Sequence, residues 1–253
     1  MYEKIPILIA ARLSSKRLPG KALLKILDKS MIVELVERLK CSKHTNDIIV
    51  CTSKKSNDDK LCSELEKYKI NFFRGDELDV MSRYISVATD MNAGTIVRVT
   101  ADNPLTDTEI MDELIESHVA NKSDYTYAAE IPDGVESEII QTDLLLKCHK
   151  MIKNKTNTEY MSWFLNKPKH FKVNKHQLKN TALRRKDVVL TVDIQKDYEL
   201  VKKIFEYFEG KLPSLEKIII FYDQISKEYK RNEKDSDNLV KMEDIDLELL
   251  DNI

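Results

Sequence analysis

Apolar residues in the first hundred positions of the chain follow two alternating patterns. Short continuous apolar runs, which are typical of buried strands, lie at residues 5–11, 47–52, 70–74 and 95–100. The segments between them repeat apolar residues at helical spacing, at residues 31–39, 58–68 and 79–91. Ser30 is placed to cap the first of these helices. The alternation predicts an α/β architecture with a largely parallel sheet.

The pattern in the second half of the chain is less regular. Strands are predicted at residues 123–128, 135–141, 169–176 and 187–192. Helices are predicted at residues 142–153, 158–166, 195–209 and 214–230. The sequence shows no repeat and no low-complexity linker, so we expect one domain over residues 1–230. Acidic and apolar residues alternate in the tail over residues 231–253, which favours a short packed or partner-binding segment, with a frayed terminus as the alternative.

Composition and charge exclude several classes of protein. The 253 residues, 42% of them hydrophobic, are enough for one large core. The 41 basic and 43 acidic residues leave a net charge of −2, so we expect neither nucleic acid nor a membrane surface as a partner. No run approaches the ~18 apolar residues of a membrane span, and the N-terminal residues lack a signal-peptide pattern. The four cysteines have no zinc-site spacing, and we expect free thiols and a cytoplasmic location.

A cationic loop follows the first predicted strand directly. It contains Arg12, Arg17 and Lys21, and the turn Pro19-Gly20 precedes the last of them. Backbone N–H groups and cations in such a loop can surround phosphate oxygens through charge-assisted hydrogen bonds. The loop therefore predicts a site for a nucleoside triphosphate, with a solvated basic loop as the alternative.

Two carboxylates follow predicted strands. Asp102 comes after the strand at 95–100, and Asp193 comes after the strand at 187–192. Ligands bind outside the carboxyl ends of strands in open α/β sheets, and Mg²⁺ takes one or two protein carboxylates together with phosphate oxygens. The two carboxylates could therefore share a metal ion. Alternatively, Asp102 begins a turn and Asp193 caps the next helix.

A third loop joins Arg74 and Gly75 to a helix that begins with acidic residues. Gly75 would let the backbone approach a base or sugar, and Arg74 or Arg83 could reach a phosphate or an acceptor carboxylate. The acidic residues would also be explained by the helix dipole alone.

In this order and spacing, the segments resemble cytidylyltransferases of the spore coat polysaccharide biosynthesis protein F type. These are similar to the 3-deoxy-manno-octulosonate (Kdo) and acylneuraminate cytidylyltransferases. The resemblance covers about residues 5–225, and its most specific segment runs from Ala11 to Lys21. The other matching elements are Arg74-Gly75, Asp79-Val80, Arg83-Tyr84, Arg98-Val99-Thr100, Asp102, Pro104-Leu105, Pro132-Asp133-Gly134, Thr191-Val192-Asp193, Asp197 and Glu199-Leu200.

The resemblance implies a three-layer nucleotide-diphospho-sugar transferase fold, which is Rossmann-like, with a mixed and mainly parallel sheet, often in a homodimer. It implies CTP as the nucleotide and Mg²⁺ as the cofactor. Arg12, Lys21, Asp102 and Asp193 would be the catalytic residues, and the two aspartates would hold the metal. The other nucleotide-binding residues that it implies are Ala10, Ala11, Leu13, Arg17, Arg74, Gly75 and Ala101.

The implied reaction transfers CMP to a small-molecule hydroxyl and releases pyrophosphate. The implied acceptor is an acidic sugar, a 3-deoxy-ulosonic or nonulosonic acid or a related compound, used in surface glycan biosynthesis. Its expected contacts are Arg83, Asp133, Glu159 and Tyr160, although Thr158-Glu159-Tyr160 stands where relatives usually have Arg-Glu-His. The alternatives are a nucleotide-sugar-dependent glycosyltransferase and a non-catalytic nucleotide-binding paralogue, and the three cations of the first loop favour a triphosphate over the former.

Overall fold

The structure is a computed structural model that describes residues 5–44, 47–211 and 213–229. Its strands are β1 (Ile7–Ala10), β2 (Lys25–Ile26), β3 (Lys29–Ser30), β4 (Ile48–Ser53), β5 (Asn71–Gly75), β6 (Thr95–Thr100), β7 (Tyr125–Ala128), β8 (Glu138–Gln141) and β9 (Val173–His176). Its α-helices are α1 (Met31–Leu39), α2 (Asp59–Lys67), α3 (Val80–Asp90), α4 (Thr108–Asn121), α5 (Thr142–Met151), α6 (Met161–Leu165), α7 (Gln195–Tyr207) and α8 (Leu215–Ile225).

Seven strands form one mixed sheet in the order β5-β4-β1-β6-β8-β7-β9. Strands β5, β4, β1 and β6 are parallel, β8 is antiparallel to both of its neighbours, and β9 is parallel to β7. The start of β8 therefore lies at the same edge as the ends of the other strands. Strands β2 and β3 form a separate antiparallel pair. This confirms the predicted α/β fold with a mixed, mainly parallel sheet.

Apolar residues on both faces of the sheet produce three layers. In β1, Ile7 and Ile9 belong to one core with residues of α1, α2, α4, α7 and α8. Leu8, between them, belongs to a second core with residues of α3, α5 and α6. Successive strand side chains point to opposite faces, so a continuous apolar run supplies both cores.

The structure differs from the predicted secondary structure in three segments. Helix α4 was not predicted, because the polar residues Asp112 and His118 are buried on it and interrupt its apolar periodicity. The predicted strand at 187–192 is not a strand of the sheet: one bridge joins Val189 to Asp133. The predicted helix at 158–166 is divided into a 3₁₀ segment, Lys155–Tyr160, and the short helix α6.

The tail predicted for residues 231–253 lies outside the described residues, so the domain boundary at 230 stays a prediction. Over the described part of the chain, no helix has the length and apolar character needed to cross a membrane.

Candidate active site

The candidate site lies at the edge of the sheet where β1 and β6 end and β8 begins. The loop after β1 contains Arg12, Arg17 and Lys21, and the loop after β6 contains Asp102. The two loops are adjacent, because Ala101 donates its backbone N–H to the carbonyl oxygen of Ala10 at 3.0 Å. The parallel sheet thus brings the cationic loop beside the first predicted metal ligand.

Lys21 joins the two carboxylates that the sequence singled out. Its Nζ donates to Asp102 Oδ2 at 2.9 Å, to Asp193 Oδ1 at 3.2 Å and to the carbonyl oxygen of Val192 at 2.8 Å. Burial disfavours the charge of Asp102, but the Lys21 ammonium and hydrogen bonds outweigh it and hold the pKa of Asp102 below its usual 3.8. Asp102 and Asp193 are therefore within reach of one cation.

Asp193 lies beside the cationic loop, directly before α7. Arg17 donates to Asp193 Oδ1 at 2.6 Å. The N-cap position of α7 is Ile194, and the carboxylate of Asp197 accepts the backbone N–H groups of Asp193 and Ile194 at 2.8 and 3.0 Å. Asp197 therefore holds the Asp193 backbone in place at the start of α7.

Arg12 reaches across the site to Glu159, which comes from the distant 3₁₀ segment at 155–160. Its guanidinium donates to Glu159 Oε2 at 2.5 Å. The next residue, Leu13, donates its backbone N–H to Asp58 Oδ1 at 2.7 Å, which fixes the start of the loop. The structure therefore brings a predicted nucleotide contact and a predicted acceptor contact together.

A cleft of about 380 Å³ opens beside these residues. Its lining comes from the end of β6, the segment that leads into β8, the region of α6, and the segment before α7. The lining residues are Arg98, Val99, Thr100, Asp102, Asn103, Asp133, Glu136, Ser137, Glu138, Tyr160, Ser162, Trp163, Thr191 and Asp193. A second cavity, of about 280 Å³, shares the wall that contains Asp133, Glu136, Ser137 and Glu138.

A buried ion pair between Arg98 and Glu138 lines the cleft. Arg98 on β6 donates to Glu138 on β8, and Tyr125 on β7 donates its hydroxyl to the same carboxylate. Arg98 also donates to the carbonyl oxygen of Glu159 at 3.1 Å. Residue-by-residue reading did not find Glu138 or Tyr125, because only the β6-β8-β7 pairing makes them neighbours.

Gly134 allows the segment before β8 to lie against the segment before α7. Its φ is +99°, and a Cβ at this position would lie 2.1 Å from the backbone nitrogen of Thr191. The backbone of Asp133 completes the contact, with its N–H bonded to Val188 and its carbonyl oxygen to Leu190. This contact places Asp133 and Glu136 beside Asp193 in the cleft.

Thr158 attaches the other wall of the cleft to α3. Its Oγ1 donates to Asp79 Oδ1 at 2.9 Å and accepts the backbone N–H of Met81 at 3.1 Å. Tyr160 follows two residues later and stacks on Trp163, with ring centroids 4.9 Å apart and planes 17° apart. Tyr160 thus contributes an aromatic surface to the cleft.

The structure places Arg74 and Arg83 away from the cleft. Arg74 donates to the carbonyl oxygens of Ser53 and Lys55, both at 2.9 Å. Arg83 is 1% exposed and donates to the carbonyl oxygen of Cys51 at 2.8 Å. A Cβ on Gly75 would lie 2.5 Å from Arg83 Cγ, so the packing of Arg83 explains this glycine without a ligand.

The donor set is suited to Mg²⁺ although it is small. No group of three or more His, Cys, Asp or Glu side chains that could hold a metal occurs among the described residues. The oxygens of Asp102 and Asp193 nevertheless converge on one point, where the Lys21 ammonium contacts both. Mg²⁺ commonly takes one or two protein carboxylates and completes its shell with water and substrate phosphate, so the residues present fit this ion.

Comparison with known proteins places the chain in a family. The family model described as cytidylyltransferase matches residues 6–245. An uncharacterised protein of Methanocaldococcus jannaschii is 36% identical over 222 residues, which cover 87% of this chain and 91% of the relative. Spore coat polysaccharide biosynthesis protein SpsF of Bacillus subtilis is 30% identical over 208 residues, covering 80% of this chain and 86% of the relative.

Further comparisons agree with this result. The 3-deoxy-manno-octulosonate cytidylyltransferase of Solibacter usitatus is 31% identical over 117 residues, covering 46% of this chain and 45% of the relative. The solved structure of a cytidylyltransferase from Leptospira borgpetersenii superposes with a TM-score of 0.84 at 28% identity, covering 91% of this chain and 98% of that one. Because the family model spans nearly all of the chain and the folds agree, the chain belongs to the cytidylyltransferase family.

Proposed function

We propose that this protein transfers CMP from CTP to a hydroxyl group of a small-molecule acceptor and releases pyrophosphate, in the synthesis of a surface glycan precursor. Membership of the cytidylyltransferase family supports the reaction type. Similarity to a relative named for spore coat polysaccharide biosynthesis, and to Kdo cytidylyltransferases over about half of the chain, supports the pathway class. The acceptor that the sequence resemblance implies is an acidic sugar or a related compound.

The observation that carries the proposal is the position of Lys21 between Asp102 and Asp193. This ammonium belongs to the same loop as Arg12 and Arg17, and each of these cations contacts a carboxylate. A triphosphate would compete for all three cations, because phosphate oxygens form strong charge-assisted bonds with ammonium and guanidinium groups. Exchange of partners would free the oxygens of Asp102 and Asp193 for another cation.

Asp102 and Asp193 would hold Mg²⁺, in keeping with the convergence of their oxygens. The bound ion would neutralise phosphate charge and lower the pKa of the attacking hydroxyl. Arg12 and Lys21 would stabilise the charge that develops on the departing pyrophosphate, which is the main catalytic contribution in transfers of this kind. The proposal needs no separate side-chain base.

The nucleoside would lie near the ends of β1 and β6. Ala10, Ala11, Leu13 and Ala101 offer small or backbone surfaces there, and Ala11 and Ala101 are 5% and 7% exposed. We leave Arg74, Gly75 and Arg83 out of the proposed contacts. The two arginines donate to backbone carbonyl oxygens of β4 and the loop after it, and Gly75 packs against Arg83.

Pyrophosphate release with CTP, Mg²⁺ and a panel of hydroxylated acceptors tests the proposal. We expect CTP to be preferred over UTP, ATP and GTP, and Asp102→Asn or Asp193→Asn to reduce turnover by ~10²-fold or more. Asp187→Asn is a matched control, because this exposed carboxylate pairs with Arg185 outside the cleft. Full activity in both site variants would contradict the metal assignment.

Binding can be measured separately from turnover. CTP with Mg²⁺ at 100 times its Kd should stabilise the folded protein by about 2.7 kcal/mol, which a thermal shift detects. Stabilisation by a UDP-sugar but not by CTP would favour a glycosyltransferase. No stabilisation by any nucleotide would mean that the proposed function is wrong.

A further inference from the structure

Carboxyl groups outnumber cations in the cleft. The described residues that line it include one cationic side chain, Arg98. Its acidic side chains are Asp102, Asp133, Glu136, Glu138 and Asp193. Even with Asp102 and Asp193 assigned to a metal ion, three carboxyls remain beside a single guanidinium. A negatively charged acceptor would be repelled by this lining.

The cations near the cleft already have carboxylate partners. Arg98 is bonded to Glu138 and to the backbone of Glu159, and Arg12 is bonded to the Glu159 side chain. Lys21 is held by Asp102 and Asp193. These contacts leave Arg98 poorly suited to an acceptor carboxylate, because moving Arg98 away would leave the Glu138 carboxylate buried without its partner.

The opposite wall of the cleft presents aromatic faces. Tyr160 and Trp163 stack on each other and both line the cavity. The faces of Trp and Tyr carry partial negative charge and attract ammonium groups. This surface adds to the effect of the carboxyls and favours a cationic ligand.

Two polar atoms in the lining lack a hydrogen-bond partner within the protein. They are Asn103 Oδ1 and Ser137 Oγ, and their residues are 4% and 1% exposed. An amide oxygen only accepts hydrogen bonds, so its complement is an N–H or O–H group. Hydroxyl or amino groups of a ligand would supply such donors.

We propose that the acceptor is a hydroxylated small molecule with a protonated amine, such as an amino sugar or amino alcohol, in place of the sugar acid that the family resemblance implies. This inference rests on the proposed cytidylyl transfer. The hydroxyl oxygen forms a bond to the α-phosphorus of CTP, the bond from that phosphorus to the pyrophosphate oxygen breaks, and the hydroxyl proton passes to solvent. The amine binds the acidic and aromatic walls and is unchanged by the reaction.

The state of Glu136 agrees with this assignment. Withdrawal from water and the neighbouring charge of Asp133 raise the pKa of Glu136 to about 8, and the N–H of Gly134 opposes that rise. Near neutral pH the Glu136 carboxyl is therefore mostly protonated. An arriving ammonium ion would offset the neighbouring charge of Asp133 and favour the ionised form of Glu136.

Acceptors that differ in one charged group provide the first test. With full-length protein, CTP and Mg²⁺, pyrophosphate release should be measured for glucosamine, glucose and glucuronate, and for ethanolamine, Kdo and N-acetylneuraminate. We expect kcat/KM for the amines to exceed that for the neutral and carboxylate compounds by about tenfold or more, which corresponds to one favourable charge contact. Equal or better use of the carboxylates would overturn the inference, as would no release with any amine when CTP still stabilises the protein.

The thermal shift with CTP separates this failure from that of the proposed function. If CTP with Mg²⁺ gives no stabilisation, the proposed transfer is wrong and the inference about its acceptor falls with it. If CTP stabilises the protein and a sugar acid is the preferred acceptor, the transfer stands and only the inference is wrong.

A pair of variants provides the second test. Glu136→Gln keeps an acceptor for the Gly134 N–H but removes the carboxyl that a bound ammonium group would ionise, and we expect about a tenfold rise in KM for the amine with KM for CTP unchanged. Glu130→Gln is the control, because Glu130 precedes the same strand but lies outside the larger cleft, where it contacts exposed Lys186. Identical KM values for the amine in the two variants would overturn the inference, and an unchanged KM for CTP would show that Glu136→Gln is folded.

Discussion

The hydroxyl of Thr158 donates a hydrogen bond to Asp79 at the start of α3, although 78 residues lie between them in the chain. The same hydroxyl accepts the N–H of Met81, and the other oxygen of Asp79 lies 2.6 Å from His149 Nε2. Thr158 is completely buried. These bonds attach the segment that contains Glu159 and Tyr160, the proposed acceptor side of the cleft, to helix α3.

Replacement of Thr158 by Val should loosen this attachment. The change keeps the shape but removes the acceptor of the buried Met81 N–H and one of the hydrogen bonds that Asp79 accepts, at a cost of ~1–3 kcal/mol. We expect a higher KM for the acceptor with KM for CTP unchanged, measured by steady-state kinetics. Thr156→Val, at an exposed position that bonds only locally to Asn154, should alter neither value, and an equal effect of both variants would argue against the attachment.

Replacement of Lys21 by Met should reduce kcat/KM by ~10²–10³-fold, because a cation at the departing pyrophosphate is lost. The variant also leaves Asp102 and Asp193 facing each other without the ammonium that joins them. Mg²⁺ alone should therefore raise the melting temperature of the variant more than that of the unmodified protein. Lys16→Met, at an exposed position in the same loop, is the control, and an identical response to Mg²⁺ would contradict the shared cation site.

Replacement of Gly134 by Ala should destabilise the fold strongly. The new Cβ would lie 2.1 Å from the Thr191 nitrogen and the residue would keep a φ of +99°, so we expect a loss of ~4–5 kcal/mol in the free energy of unfolding. Gly20→Ala has a φ of +72° but no atom within 4 Å of the added Cβ, so strain alone should cost ~1–2 kcal/mol. Urea denaturation measures both, and similar losses would mean that the backbone contact is not tight.

Replacement of Glu136 by Gln should change the pH dependence of stability. The folded pKa of about 8 lies above the usual 4.5, so the folded protein binds more protons between these values and stability falls as pH rises through 8. The variant has no such loss and should melt at least ~2 °C higher than the unmodified protein at pH 9, with no gain at pH 4. Glu130→Gln should not show this difference between the two pH values, and a gain that does not depend on pH would rule out the titration of Glu136.

The spacing of apolar residues predicted an element correctly where the buried side of the segment is apolar. Strand β6 and helix α1 coincide with the predicted residues 95–100 and 31–39. It failed for α4, where buried Asp112 accepts bonds from Ser42 and Lys43, because hydrogen bonds replace apolar contacts there. It also failed at 187–192, where a β-branched run packs against a loop and pairs at a single residue.

The sequence predicted the cations of the candidate site, but it did not predict which carboxylates contact them. The cationic loop and Asp102 were visible because they directly follow apolar strands. The contact of Lys21 with Asp193, and that of Arg12 with Glu159, join residues more than 140 positions apart and depend on the complete sheet. Arg83 was assigned to the acceptor because its burial behind Gly75 cannot be read from local sequence.

Because β8 runs in the reverse direction, different kinds of chain segment would contact the two proposed substrates. The proposed nucleotide side is built from segments that leave β1 and β6, whereas Asp133 and Glu136 belong to a segment that enters β8 from the same edge. Residues 129–133 could therefore be lengthened or exchanged without moving the loop after β1, as long as Gly134 keeps its contact with Thr191. An engineer who wished to redirect this protein to a new acceptor would have one short connection to randomise and could leave the proposed nucleotide site unchanged.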